Sequence, residues 1–144
     1  MLEKYDMEEY DIQSLEENLN LKFPIAYKNI LLNYPVELKT NEYGNQFLIY
    51  DVKDLLYNLI IRCRWLNLKE TLPRNFFPIG YDYGGNMFFI NLKDDESIYI
   101  IDHDEVESFY NPNTNMINWD IALKEFKPNI TVFVEWLKAY LSEE

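Results

Sequence analysis

The chain has 144 residues, 13 of them basic and 25 acidic, with one histidine, one cysteine and a formal net charge of −12. That length suits one domain able to bury about 70% of the surface its unfolded chain exposes, without metals or disulfides. The acidity argues against direct nucleic-acid binding, which needs Lys and Arg to displace counterions; it leaves open a basic partner or simple solubility. Cys63 cannot close an internal bridge, which points to a reducing compartment. Residues 1–6 lack the basic-then-apolar pattern of a secretory signal, and the apolar run at 55–61 is too short to span a bilayer. The expectation is a soluble, cytoplasmic protein with no membrane insertion. Its charge is clustered: residues 1–17 hold seven acids and one lysine, residues 102–107 hold four acids and no base, and residues 53–74 are mildly basic.

In chain order, residues 11–19 read as a helix capped by Asp11, with Ile12, Leu15 and Leu19 on one face. Pro24 suits the first position of a second helix running to about Tyr34, its inner face formed by Ala26, Ile30, Leu31 and Tyr34, and Pro35 stops it. Residues 46–50 read as a short strand. Asp51 then caps a third helix with Val52, Leu55, Leu56, Leu59, Ile60 and Cys63 at helical spacing, so Cys63 reads as a core thiol. Strand-like runs follow at 76–81, 86–92 and 97–102, the last two joined by the polar turn Lys93-Asp94-Asp95-Glu96. Residues 106–110 suggest another strand, 111–115 a loop, 119–126 a helix. A final helix starts near Asn129 and carries Ile130, Phe133, Val134, Leu137, Tyr140 and Leu141 inward. The order predicts an α+β domain, residues 1–144, with an antiparallel sheet packed against N-terminal, middle and C-terminal helices.

Three of the four glycines fall within six residues, in Gly80-Tyr81-Asp82-Tyr83-Gly84-Gly85-Asn86. A phosphate cradle would lead into a helix and carry a lysine; here an apolar strand follows and the loop has no lysine. The pattern instead predicts a hairpin corner. Gly84 and Gly85 would adopt conformations closed to other residues, Asp82 would accept loop amides, and Asn86 would cap the strand entry. Tyr81 and Tyr83 are candidate interface anchors.

Together with this turn, residues 12–34, with Phe23-Pro24 leading into Tyr27-Lys28 and the apolar pair Ile30-Leu31, resemble the opening of SUKH superfamily domains. Pro78-Ile79-Gly80-Tyr81-Asp82-Tyr83-Gly84-Gly85-Asn86 is similar to that superfamily's Gly-x-Asp-x-Gly-Gly-Asn turn. Residues 98–104 resemble its next strand and acidic exit, and residues 130–137 its terminal helix. Tyr34-Pro35-Val36 departs from the Asn-Gly turn of many members, and residues 111–127 match nothing in the pattern. The resemblance implies a SUKH-like α+β domain acting without catalysis or cofactor. Two roles follow from it: a bacterial immunity protein that neutralises a polymorphic toxin, often a nuclease, or an intracellular regulatory module linked to cell-wall glucan synthesis.

His103 lies between Asp102 and Asp104, without the second histidine or nucleophile that a metal or hydrolytic site would need, and reads as part of a solvated turn. The acids lack the spacing of a calcium loop. The better candidates for partner binding are Asp94, Asp95, Glu96, Asp102, Asp104, Glu105 and Glu107. On a basic toxin domain they would mimic phosphate charge, with Tyr81, Tyr83, Tyr110 and Trp119 as anchors.

Overall fold

A computed structural model describes residues 7–60, 75–93, 96–102, 104–114 and 116–143. The first helix, α1 (Glu9–Leu19), starts earlier than expected, so Asp11 sits in its first turn and not at its cap. The Asp11 carboxylate reaches back to accept the Glu8 amide at 2.9 Å, satisfying one of the donors a helix start leaves open. Pro24 precedes α2 (Ile25–Leu32), and its carbonyl accepts the Lys28 amide. The inward stripe is Phe23, Tyr27, Leu31 and Tyr34, while the expected Ala26 is exposed. Aromatic bodies at this spacing bury far more apolar surface than an alanine-centred face, and that decides the rotation of the helix.

The strand expected at 46–50 is a correction. After α3 (Val36–Lys39), residues Gly44–Phe47 form a helical turn, α4, which Leu48 leaves in an extended conformation, and no strand is assigned at 48–50. Tyr34 ties this turn down. Its buried hydroxyl donates to the Leu48 carbonyl at 2.6 Å and lies 2.9 Å from that of Gly44. Ile49 makes one sheet-like contact, its amide donating to the Ile79 carbonyl at 2.8 Å. Asp51 then caps α5 (Val52–Ile60) as expected, accepting the Asp54 amide at 3.1 Å. Cys63, expected on this helix, lies outside the described residues.

Strands β1 (Phe76–Tyr81), β2 (Met87–Asn91) and β3 (Ile98–Ile101) form the expected antiparallel meander. Between Pro78 and Gly80 the register shifts, leaving Ile79 as the extra residue. Such a bulge re-aims a strand. The residues expected as a strand at 106–110 form a 3-10 turn (Val106–Phe109) that leads into β4 (Tyr110–Asn111), which pairs with β5 (Met116–Ile117). The expected helix at 119–126 is also corrected. It stops after one turn, α6 (Trp119–Ala122), and Lys124–Lys127 becomes β6, the fourth strand, beside β3. The alternation of Lys124, Glu125, Phe126 and Lys127 has too little apolar content at helical spacing to hold a longer helix.

Both sheet faces are covered. Phe88, Ile90 and Ile98 join the main core with Phe77, Leu31, Phe47 and the last helix, α7 (Ile130–Ser142). Met87, Phe89 and Ile101 point the other way, into a second cluster with Ile117, Ala122 and Leu123. The excursion from 102 to 123 therefore covers the back of the sheet. Asn129 caps α7, accepting the Val132 amide at 2.9 Å. Ile130, Phe133, Val134, Leu137 and Leu141 are buried, but Tyr140, expected among them, is 37% exposed.

Candidate functional site

The glycine turn is organised by one side chain. The Asp82 carboxylate accepts the amides of Gly84 (3.0 Å) and Asn86 (2.9 Å) and the Asn86 side-chain amide (3.1 Å). The Asp82 amide donates to the Asn86 carbonyl, and the Asp82 carbonyl accepts Gln46 Nε2 at 2.8 Å. Gly85 has φ 92°, open to glycine and strained for other residues. Gly84 does not, contrary to expectation. Gly80 serves a different end: a Cβ there would strike the Phe47 backbone, so its bare Cα lets α4 lie directly on β1.

Antiparallel pairing decides which candidates meet. Met87 faces Ile101, so the turn at 82–86 and the acidic exit beginning at Asp102 lie at the same end of the sheet. Glu96 is at the opposite end, in the β2–β3 connection, with φ 55°. The acids therefore form no single patch. Asp94, Asp95 and His103 lie outside the described residues, as does the side chain of Glu107. At the turn end, Asp102 accepts the Asp104 amide at 2.9 Å, and Glu105 meets Lys124 Nζ at 2.8 Å. Hydrogen bonding to Glu105 and its charge hold the Lys124 ammonium's pKa above the ordinary lysine range. Two of these three described acids, Asp102 and Glu105, are thus already engaged within the protein. Tyr110 is exposed on β4, and Trp119 packs against the second cluster on the back of the sheet.

Tyr81 and Tyr83 diverge from the turn. Tyr83 is 42% exposed and joins an aromatic band unanticipated from sequence. It meets Tyr43 and Phe47 edge-on at 4.7 and 5.0 Å, and the band continues through Tyr140, stacked 5.1 Å from Trp136, to Phe126, 4.9 Å from Trp136. Lys127 Nζ lies 4.8 Å from the Phe126 ring centre. The place of Tyr140 on the last helix was legible from its spacing, but the partners of Tyr140 and Trp136 come from distant segments. Tyr81 instead lines an open pocket of about 290 Å³ with Glu42, Asn45, Gln46, Asp54 and Tyr57. Asn45 braces it, donating to Asp54 Oδ2 at 3.0 Å and accepting the Tyr50 amide at 3.0 Å. No local motif marks these residues; loop, helix and strand bring them together.

Among the described residues no His, Cys, Asp and Glu side chains cluster in a way that could hold a metal ion, and no helix is long and apolar enough to cross a membrane. What the fold gathers is surface chemistry: aromatic rings, carboxylates and amides around a rigid turn, the materials of protein–protein recognition. It is an α+β protein of the interaction type. A profile of the SMI1 / KNR4 family (SUKH-1) matches residues 7–119, and the chain belongs to that family. The family's general role is immunity or regulation through binding other proteins. The match ends at Trp119, short of β6 and α7. Among curated proteins, none matches the sequence.

Proposed function

We propose that this chain is a bacterial immunity protein of one domain, working in the cytoplasm without catalysis or cofactor by binding and neutralising a polymorphic toxin with a basic surface, a nuclease being the type that fits. Membership of the SUKH-1 family carries the reading. The net charge of −12 supports a cationic partner, since complementary potentials speed encounter and exclude wrong partners. The turn end of the sheet is the proposed contact surface, with Tyr81 and Tyr83 as anchors and Asp102, Asp104 and Glu105 as steering charges. Glu96, at the opposite end of the sheet, belongs outside it, and Tyr110 and Trp119, on the excursion behind the sheet, belong at its margin.

The test is to read the adjacent reading frame for a toxin domain and to co-express the chain with it; an adjacent frame without one counts against the reading. Restored growth and a stable one-to-one complex are expected. No protection, with recovery of cell-envelope synthesis proteins as the stable partners, would replace this reading with a regulatory role in wall synthesis.

A further inference from the structure

We draw no further inference here: the strongest candidate, the partly exposed aromatic band of Tyr43, Tyr83, Trp136 and Tyr140 between the glycine turn and the last helix, carries nothing, because its ring contacts are internal to the fold and nothing in the structure shows what covers it.

Discussion

Replacing Gly80 with alanine tests the contact that sets the geometry of the turn. The added Cβ would collide with the carbonyl group of Phe47 and lie 2.7 Å from the Gln46 carbonyl oxygen. These are backbone atoms, so no rotamer change relieves the overlap; α4 must move off β1. Overpacking costs about 1–3 kcal/mol where side chains can yield, and a backbone obstacle places this substitution near 3. Loss of unfolded-state entropy returns less than about 1 kcal/mol. For a chain of this size the melting temperature should fall by about 10 °C. Moving α4 also withdraws Gln46 from the Asp82 carbonyl, so the turn and the pocket should loosen together.

Urea unfolding followed by tryptophan fluorescence measures the loss. Gly84→Ala is the control, because Gly84 is exposed and its φ lies outside the left-handed region; it should stay within about 0.5 kcal/mol of the parent. A Gly80→Ala protein equally close to the parent would refute the argument that bare backbone contact locks α4 to the sheet.

Other outcomes follow from the buried tyrosines, Asp82 and the surface acids. Tyr34→Phe should cost about 1–2 kcal/mol in urea unfolding, since the Leu48 carbonyl loses its hydroxyl donor. Tyr27→Phe should be neutral or stabilising, because the Tyr27 hydroxyl is buried without a hydrogen-bond partner among the described residues. Burial pushes the Tyr27 hydroxyl's pKa far above the ordinary range, and burial, then the neighbouring Tyr50 and Tyr27, does the same for Tyr34. The unfolded chain therefore loses these protons first: stability from this source is intact below about pH 10 and falls above it by about 1.4 kcal/mol per pH unit for each tyrosine. A urea midpoint flat from pH 9 to 11 would contradict this. Asp82→Ala removes the acceptor of three hydrogen bonds and should cost about 2 kcal/mol with the turn's amide protection lost in hydrogen exchange. Reversing Asp102 and Asp104 to lysine should slow association with a basic partner at low salt and leave dissociation nearly unchanged, measured by stopped flow.

Local chemistry made much of the fold readable. Asp51 and Asn129 cap helices because their short carboxylate and amide side chains reach amides three residues on, a relation contained within one turn of chain. The meander was equally visible, since aromatic and β-branched runs flank a glycine turn and a polar one. What failed depended on distant partners. Residues 46–50 carry strand-like composition, yet Tyr34 and the bare backbone of Gly80 hold Gly44–Phe47 as a helical turn. Lys124–Lys127 has weak intrinsic preference, and β3 recruits it as a strand. Propensity yields in both places to contacts made across the fold.

The candidate site divides along the same line. Tyr81, Tyr83 and the Asp82 turn were visible because they share one short segment. The grouping of acids by sequence was misleading, because proximity along the chain is not proximity in a sheet: β3 separates Glu96 from Asp102 by its whole length, while pairing brings residue 102 level with the turn at 86. Within the turn-end group, Lys124 answers Glu105 and Asp102 closes its own loop, so formal charge overstates the field a partner meets. The Glu42 and Asp54 pair escaped notice for the converse reason. Each is an unremarkable acid in its own segment, and they become a common lining only when Asn45 braces α4 against α5.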